Sequence, residues 1–277
     1  MRLRFSKMHG LGNDFMVVDA ITQEVRLDAS TIRALADRHT GIGFDQLLLV
    51  EAPTDPAADF WYRIFNADGS PAEQCGNGAR CVARFVEANH LASRSRLTWQ
   101  TTSGSMVTCN AGDNVEVDIG VPGLDPASLP ATASLEAATH TIALSVGDAV
   151  WHAVPVSIGN PHAVLFVDSV LDAPVQEVGA ALTRHAVFPQ GANIGFCEVV
   201  EPTFVRLRVF ERGVGETRAC GTGACAAAVA GIVTGRLRDR VKVSLPGGKL
   251  RITWPGEGQP VRLSGPATQV FDGVVEI

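Results

Sequence analysis

Two short segments combine a cysteine with glycines at a spacing that suits chemistry. Cys75 opens the run Cys-Gly-Asn-Gly-Ala and Cys220 opens Cys-Gly-Thr-Gly-Ala, and a predicted helix follows each cysteine directly. A side chain at a helix N-terminus faces backbone N–H groups that lack intrahelical acceptors, together with the positive end of the helix dipole. This position stabilises a thiolate, and the same N–H groups can bind a carboxylate. The glycines let a ligand approach the backbone closely.

Two such thiols facing each other would suit the inversion of a stereocentre. One thiolate would remove the proton from Cα of an amino acid, and the opposite thiol would supply a proton to the other face. Both helix N-termini would bear on the α-carboxylate, where the charge of the carbanion delocalises. We therefore predict that Cys75 and Cys220 are the acid/base pair of a stereoinversion that needs no cofactor.

Two other interpretations of this pair stay open. Cys75 and Cys220 could form a structural or regulatory disulfide, or they could be unrelated buried thiols. The second interpretation is the weaker one, because both cysteines precede Gly-x-Gly. The other four cysteines fall inside predicted helices or strand-like runs, where we expect core packing: Cys81, Cys109, Cys197 and Cys225.

Polar residues recur in the two halves of the chain in the same order. The offset is 147 residues for Asn13 and Asn160 and for Gln46 and Asn193, and 145 residues for Asn66 and Glu211 and for Cys75 and Cys220. Glycine-rich turns resemble one another in many β-rich proteins, which could explain one match but hardly four in register. The repeat predicts two domains of like fold that contribute equivalent polar residues to a shared cleft.

Short β-strands punctuated by Gly, Pro, Asn and Asp dominate the predicted elements. We predict strands at 3–8, 46–50, 59–65, 115–119, 149–157 and 204–210, and helices at 31–39, 76–89, 176–184 and 221–235. The last helix is rich in Ala and Val nearly all round, which indicates burial inside a sheet or barrel. The segment 122–139, rich in Pro, Ala and Ser, is the best candidate for a linker.

The composition is that of an ordinary globular protein. Of 277 residues, 46% are hydrophobic and 19% charged, which suits one large domain or two of usual size. The formal charge is −6 and no run of Lys or Arg occurs, so we expect no nucleic-acid partner. The N-terminus lacks the apolar core of a signal peptide, and the longest apolar run, 224–233, is too short to cross a bilayer. We expect a cytoplasmic protein, with no membrane association, whose cysteines are thiols.

The sequence offers little support for a bound cofactor. Its only lysines are Lys7, Lys242 and Lys249, and none lies near a phosphate-binding glycine loop, which disfavours a pyridoxal Schiff base. The seven histidines form no HExxH and no cysteines are spaced as CxxC, so a zinc site has no local signature. We expect the chemistry to come from ordinary side chains, with no cofactor and no metal.

The motifs named above belong to a longer set that extends over nearly the whole chain. The set consists of 7–15, 43–46, 65–69, 74–81, 159–162, Asn193, 211–213 and 219–224. Taken together, these segments closely resemble diaminopimelate epimerases. The related proline racemases share Cys-Gly-x-Gly turns, but Asn13 and the pair Glu211-Arg212 fit the diaminopimelate epimerases better.

The resemblance implies an α+β (mixed α/β) fold of two pseudo-symmetric domains, each a mostly antiparallel barrel-like sheet wrapped around a central helix. The N-terminal domain would comprise 1–120 plus 266–277, with the C-terminal tail returning to it, and the C-terminal domain 121–265. The implied reaction interconverts LL- and meso-diaminopimelate in lysine and peptidoglycan precursor biosynthesis, without pyridoxal phosphate or metal. A homodimer is also implied; Phe271 stands where the family often has a tyrosine, so a hydroxyl contact is not expected there.

The resemblance also assigns roles to individual residues. Cys75 and Cys220 would be the catalytic thiols, with Glu211 and His162 as acceptors of their protons. Arg212 would bind the distal carboxylate as a bidentate fork, and Glu211 could take an ammonium. The remaining substrate-binding residues would be backbone donors of the two helix starts, Gly76, Asn77, Gly221 and Thr222, and polar side chains lining the site, Asn13, Gln46, Asn66, Asn160 and Asn193.

Two alternative functions follow from the same residues. A racemase or epimerase for proline or hydroxyproline would act on a substrate that has no second carboxylate, and would be indifferent to loss of Arg212. A redox-switched protein would form a reversible Cys75–Cys220 disulfide and show no turnover when reduced. Activity under reducing conditions separates the enzyme from the switch.

Overall fold

The computed structural model describes residues 2–72, 75–125, 135, 136 and 138–277. Two compact units divide the chain: unit 1 consists of Met1–Asp118 and Ser264–Ile277, and unit 2 of Ile119–Leu263. The domain limits predicted from the sequence, after residues 120 and 265, each lie two residues beyond these boundaries. Most of the predicted linker falls outside the described residues. At its described start, Gly123 exchanges two backbone hydrogen bonds with Ser157, so this part belongs to unit 2.

The described residues form eighteen strands and four helices, which confirms the predicted mixed α/β class. The strands are β1 (Arg2–Gly10), β2 (Asn13–Asp19), β3 (Gln46–Glu51), β4 (Phe60–Asn66), β5 (Pro71–Ala72), β6 (Arg96–Thr101), β7 (Gly104–Ala111), β8 (Asn114–Gly120), β9 (Ile142–Val146), β10 (Ala149–Ser157), β11 (Pro161–Phe166), β12 (Asn193–Glu201), β13 (Phe204–Glu211), β14 (Gly215–Thr217), β15 (Arg240–Leu245), β16 (Gly248–Thr253), β17 (Val261–Pro266) and β18 (Thr268–Glu276). The helices are α1 (Ala29–Ala36), α2 (Gly76–Ala88), α3 (Val175–Leu182) and α4 (Gly221–Val233). None of the helices in the described residues is long and apolar enough to span a membrane.

Unit 1 is a mostly antiparallel sheet with two parallel pairings. β1 pairs antiparallel with both β2 and the C-terminal strand β18, and β2 runs parallel to β3. β3 is antiparallel to β4, β4 parallel to β6, and β6, β7 and β8 follow as an antiparallel meander. The β1–β2 hairpin turns over Leu11 and Gly12, both with positive φ (57° and 89°), as a two-residue hairpin turn requires.

Unit 2 repeats this order of pairings. β10 is antiparallel to β11, β11 parallel to β12, β12 antiparallel to β13, and β13 parallel to β15, which pairs antiparallel with β16. The register repeats as well: His162 lies opposite Asn193 across the parallel pair of unit 2, as Phe15 lies opposite Gln46 in unit 1. The offset of 147 residues in the sequence therefore corresponds to the same pairing made twice.

One helix lies in the core of each unit and follows one of the two singled-out cysteines. α2 packs on β1, β2 and β7 and buries Cys81, Val82, Phe85 and Val86. α4 packs on β10, β11 and β12, and ten of its thirteen residues are buried. Because nearly all these side chains are Ala, Gly or Val, strands can approach the helix from every side. The predicted burial of this helix is confirmed.

Helix α1 ends three residues earlier than predicted. The sequence predicts a helix to His39, but α1 stops at Ala36 and Asp37 has extended backbone angles. The Asp37 carboxylate accepts hydrogen bonds from the backbone N–H groups of His39 and Thr40, at 2.8 and 2.6 Å. This side-chain turn satisfies the donors that a further helical turn would have used, so the helix ends here. α3 likewise ends at Leu182, before the predicted Arg184.

Candidate active site

The polar residues singled out in unit 1 lie at one end of three neighbouring strands. β2 begins at Asn13 and β3, which runs parallel to it, begins at Gln46. β4 runs the opposite way and ends at Asn66, which stands directly across from Gln46. Two parallel strands begin at the same end of a sheet, and a neighbouring antiparallel strand ends there. The topology therefore brings Asn13, Gln46 and Asn66 to the same end of the sheet in unit 1.

Cys75 is the N-cap residue of α2. Its Sγ accepts a hydrogen bond from the backbone N–H of Gly78 at 3.3 Å, which is the interaction expected of a side chain at a helix N-terminus. On its other side the thiol donates to Oδ1 of Asn13, with 3.6 Å between sulfur and oxygen. The side chain is partly exposed. A donor that favours the thiolate and an acceptor that favours the thiol thus meet at one sulfur atom.

Asn77 joins Asn13 to a buried arginine. Its Nδ2 donates to Oδ1 of Asn13 at 3.3 Å, and its Oδ1 accepts from Nη2 of Arg80 at 3.0 Å. Arg80 has no solvent exposure and also donates to the backbone oxygens of Gly76 (3.2 Å) and Pro266 (3.1 Å). The sequence reasoning assigned Arg80 no role. A signal was present, because Arg80 is a cation near the N-terminal end of α2, where it opposes the helix dipole and needs a compensating contact.

Gln46 and Asn66 form a second polar pair at this edge. Nε2 of Gln46 donates to Oδ1 of Asn66 at 3.0 Å, and Nδ2 of Asn66 donates to the hydroxyl of Ser70 at 3.1 Å. Both side chains are partly buried. The NH₂ group of Gln46 is used in the contact with Asn66. Its carbonyl oxygen can therefore accept a hydrogen bond from a ligand group.

Unit 2 places its polar residues at the equivalent strand ends. β11 begins at Pro161, next to Asn160, β12 begins at Asn193, and β13 ends at Glu211. Asn193 is buried, and its Oδ1 accepts the backbone N–H of Arg212 at 2.9 Å. Arg212 is exposed, and its Nη1 donates to the backbone oxygen of Gln190 at 2.6 Å. That contact fixes one side of the guanidinium, which could bind a carboxylate with its other nitrogens.

His162 is a neutral imidazole. It is almost fully buried, and this burial, with the nearby charge of Arg212, lowers its pKa to about 3. Its Nε2 lies 3.0 Å from Oδ1 of Asn160, so Nε2 carries the proton and Nδ1 has the lone pair. The low pKa makes the ring a weak base, and the role of His162 as a proton acceptor stays a prediction.

Cys220, the N-cap residue of α4, is a buried thiol. Burial raises its pKa well above the usual value, and the negative charge of Glu211 raises it further. Hydrogen bonds involving Thr222, 3.6 Å from the sulfur, and the N–H of Gly223 act in the opposite direction but with smaller effect. Glu211 accepts a hydrogen bond from the hydroxyl of Thr217, another contact that the sequence reasoning missed. Cys220 is therefore protonated at neutral pH.

The two helix starts share their backbone geometry. The first intrahelical bonds run from Ala79 to Cys75 and from Ala224 to Cys220, at 2.8 and 3.0 Å. The backbone N–H groups of Gly76, Asn77, Gly221 and Thr222 precede these bonds, where a helix directs its donors outward. In the described part of the chain, no three His, Cys, Asp or Glu side chains cluster as metal ligands would. The absence of a cofactor stays a prediction.

Comparisons with known proteins identify the family and the fold. Residues 5–124 and 154–270 match the family described as diaminopimelate epimerase. A phenazine biosynthesis protein of the PhzF family from Bacillus anthracis has a TM-score of 0.69 at 20% identity, with both chains fully covered. A hydroxyproline epimerase from Agrobacterium vitis with bound trans-4-hydroxy-L-proline has a TM-score of 0.69 at 16% identity, over 99% of this chain and 92% of that one. A methylitaconate-delta-isomerase gives 0.68 at 15% identity, over 99% and 95%. At these identities the structural likeness concerns the fold alone.

Proposed function

The chain belongs to the diaminopimelate epimerase family, whose fold it shares with other epimerases and isomerases, and from this premise we propose that it interconverts LL- and meso-2,6-diaminopimelate. The proposal covers a cytoplasmic enzyme of lysine and peptidoglycan precursor biosynthesis that uses neither pyridoxal phosphate nor metal. The observation that carries it is the Cys-Gly-x-Gly helix start, which occurs twice at equivalent places in two units of matching strand register.

The proposed reaction removes one proton from Cα and adds another proton to the opposite face of the same carbon. The thiolate of one cysteine takes the proton from Cα and becomes a thiol, while the thiol of the other gives its proton to the opposite face and becomes a thiolate. The C–H electron pair passes to the α-carboxylate as the proton leaves and returns as the new C–H bond forms. Backbone N–H groups at the helix starts, which include those of Gly76 and Gly221, would stabilise that transient charge.

The electrostatics of unit 2 support Cys220 as the partner that is protonated at rest. Its burial and the neighbouring Glu211 both favour the thiol form. In the reverse direction Cys220 must lose this proton, and we assign Glu211 as the acceptor because its carboxylate faces the thiol. By the family resemblance we assign His162 the same purpose for the other thiol. The assignment makes the two directions of the reaction chemically distinct.

Recognition of the second amino-acid end would distinguish diaminopimelate from smaller substrates. We assign Arg212 to the distal carboxylate, because its guanidinium is exposed and the contact with Gln190 orients it. The amides of Asn13, Gln46, Asn66, Asn160 and Asn193 would bind the remaining polar groups of the substrate.

The test is solvent deuterium incorporation at Cα, measured with purified protein in D₂O under reductant. LL- and meso-diaminopimelate are compared with L-proline and trans-4-hydroxy-L-proline. We expect exchange and inversion with diaminopimelate alone. Absence of exchange with every substrate would exclude an epimerase, and exchange with a proline substrate alone would replace our assignment with the alternative one.

Variants of the cysteines test the two-thiol mechanism. Cys75→Ala and Cys220→Ala should each abolish inversion, since each removes one of the two proton carriers. Cys109→Ala is the matched control, because Cys109 is also partly exposed but lies within strand β7 and not at a helix start. A single variant at Cys75 or Cys220 that kept full activity would disprove the mechanism.

Arg212→Ala tests the assignment of the distal carboxylate. We expect kcat/KM for diaminopimelate to fall at least about 100-fold, since a charge-assisted bidentate contact is lost. Arg206→Ala is the control, because Arg206 is a half-exposed arginine of the preceding strand whose salt-bridge partner is Glu198. Unchanged turnover in Arg212→Ala would favour a substrate that has no second carboxylate.

We also propose that the protein is a homodimer that associates through β18. This strand exposes Val270, Phe271 and Val274 to solvent, and an apolar row of this kind is typical of a protein–protein contact. Val274→Lys should convert a dimer to a monomer in light scattering. A wild-type mass equal to one chain at micromolar concentration would exclude the dimer.

A further inference from the structure

We propose that Asp45, held by Arg38, is a positioning residue that fixes the carboxamide of Asn13 with its oxygen toward the Cys75 thiol. The residues involved, Lys7, Asp14, Arg38 and Asp45, all belong to unit 1. Three of them lie in the motifs that the sequence analysis singled out, and the proposed function gives none of the four a task. Only the catalytic consequence of the inference rests on that function.

The orientation of Asn13 follows from the chemistry of its partner. Oδ2 of Asp45 lies 2.8 Å from Nδ2 of Asn13 and also accepts the backbone N–H of Asp14 at 3.2 Å. A carboxylate only accepts hydrogen bonds, so the amide nitrogen of Asn13 must face Asp45. The amide oxygen then points the other way, to Sγ of Cys75 at 3.6 Å and Nδ2 of Asn77 at 3.3 Å.

Asp45 is itself held by a charged network. Nη2 of Arg38 contacts Oδ1 of Asp45 at 2.8 Å and Oδ1 of Asp14 at 2.7 Å. Nζ of Lys7 contacts Oδ2 of Asp14 at 2.5 Å and the backbone oxygen of Gly43. Burial would raise the pKa of Asp14, but hydrogen bonds and charge from Arg38 and Lys7 lower it to about 2. Asp14 therefore stays ionised across the neutral range and holds Arg38 against Asp45.

This orientation determines which chemical group the reacting sulfur meets. With the oxygen toward Sγ, Asn13 accepts the S–H of Cys75 and favours the thiol form. If the amide were reversed, an N–H would face the sulfur and favour the thiolate. Asp45 thus acts on Cys75 through Asn13, without touching the sulfur or the substrate, and balances the opposite influence of the Gly78 N–H.

Asp45→Asn tests the inference because it changes one acceptor into a donor. Arg38 can only donate, so the single amide oxygen of the new side chain will turn toward Arg38. Its NH₂ group will then face Nδ2 of Asn13, so the contact that directs the oxygen of Asn13 toward Cys75 is lost. Asp45 is nearly half exposed, so the variant is expected to fold, which its thermal melt will check.

The first readout needs no substrate. The rate of alkylation by iodoacetamide is measured on the peptide that contains Cys75, by mass spectrometry. At pH 7 we expect Asp45→Asn to raise this rate about threefold or more, because the thiolate is the nucleophile. Asp45→Glu keeps a carboxylate acceptor and should stay within about twofold of wild type.

Asp37→Asn is the matched control. It removes the same charge from the same segment of the chain and also loses carboxylate contacts, but those contacts go to His39 and Thr40. Its alkylation rate should equal that of wild type. A wild-type rate in Asp45→Asn, or an equal rise in both variants, would overturn the inference.

The second readout compares the effect of the substitution on kcat with its effect on KM. If the protein turns over diaminopimelate, Asp45→Asn should lower kcat about 10-fold while KM changes less, because a misplaced proton-transfer group affects the chemical step. A rise in KM alone would contradict the positioning role. If wild-type protein does not act on diaminopimelate, the proposed function fails, while the alkylation result still decides the role of Asp45.

Discussion

At the residue scale, the two cysteines differ in what surrounds the sulfur. Both were predicted at helix starts from their spacing to glycine, and both are N-cap residues. Cys75 is partly exposed and touches an amide oxygen, whereas Cys220 is buried beside a carboxylate. The sequence repeat implies equal thiols, but burial depends on the packing of strands distant in the chain. The two thiols therefore have different surroundings, although the repeat places them at equivalent positions.

Glu211→Gln should make Cys220 react faster with alkylating reagents. The carboxylate raises the pKa of the thiol, so removing its charge moves the pH profile of alkylation to lower pH. The rate is measured on the Cys220 peptide between pH 7 and 10. Glu201→Gln, an exposed glutamate of β12, is the control and should leave the profile unchanged. A shift to higher pH in Glu211→Gln would contradict the electrostatic account.

Tyr62→Phe should leave the protein as stable as wild type or raise its free energy of unfolding by about 1 kcal/mol. The hydroxyl of Tyr62 is fully buried beneath Gly78 and finds no hydrogen-bond partner among the described residues. Removing the hydroxyl removes the desolvation cost of a buried polar group, and the packing of the ring stays the same.

The contrasting variant for urea unfolding is Thr108→Val, whose hydroxyl accepts from Nε1 of buried Trp99 at 2.8 Å. Leaving that donor without a partner should cost about 1–3 kcal/mol. A loss of similar size in Tyr62→Phe would mean that its hydroxyl has a binding partner, such as an ordered water.

The residues of the candidate site were predictable to different degrees. The repeat identified four polar residues, because each stands at the equivalent position in the two halves of the chain: Asn13, Gln46, Asn160 and Asn193. Arg80, Thr217 and Asp45 could not be given partners, since a hydrogen bond between distant segments depends on strand register and on the way a helix packs. A sequence motif can identify such residues, but it does not show their contacts.

At the element scale, alternation and turn residues placed six of the eighteen strands of the described residues, each to within two residues. The strand 149–157 was predicted with the bounds it has, and Gln46 and Phe204 were each placed at the start of a strand. Helix ends were less predictable, as α1 shows, because a side-chain turn at Asp37 competes with the next helical turn. Which strands run parallel could not be read from local patterns, since pairing depends on the connections between distant elements.

Gly179→Ala should destabilise unit 2 by about 1–3 kcal/mol, although alanine is the better helix former. In α3 an added Cβ would lie 2.7 Å from Cβ of Phe210, the residue before Glu211. Urea unfolding of Ala180→Gln, on the exposed face of the same helix, should differ from wild type by less than about 0.5 kcal/mol.

Because the displaced Phe210 adjoins Glu211, Gly179→Ala should also reduce activity if the proposed function holds. A stable and fully active Gly179→Ala protein would contradict the tight packing of α3 on β13.

At the scale of the whole molecule, the buried neutral His162 links stability to pH. The pKa of His162 is about 3 in the folded protein and about 6.5 in an unfolded chain. Between these values the unfolded chain binds a proton that the folded one does not, so stability is complete above pH 6.5 and falls as the pH is lowered toward 3. Each unit of pH in this window removes up to about 1.4 kcal/mol.

Unfolding by urea at several pH values between 7.5 and 4.5 measures this slope. His162→Gln should show a weaker dependence on pH, because it cannot gain the proton. His152→Gln, which alters an exposed histidine of β10, should keep the wild-type slope. Equal slopes in wild type and His162→Gln would mean that another group is responsible.

The pairing of β18 with β1 has a consequence for how the protein is made. Arg2 stands opposite Glu276, so residues from near the two ends of the chain are neighbours in one sheet. Unit 2 is one continuous stretch, whereas unit 1 needs residues that the ribosome adds only after unit 2 is complete. While translation continues, all residues of unit 2 are already present, but the sheet of unit 1 still lacks β18. Ser264–Ile277, made after unit 2, therefore completes a unit whose other part was made before it.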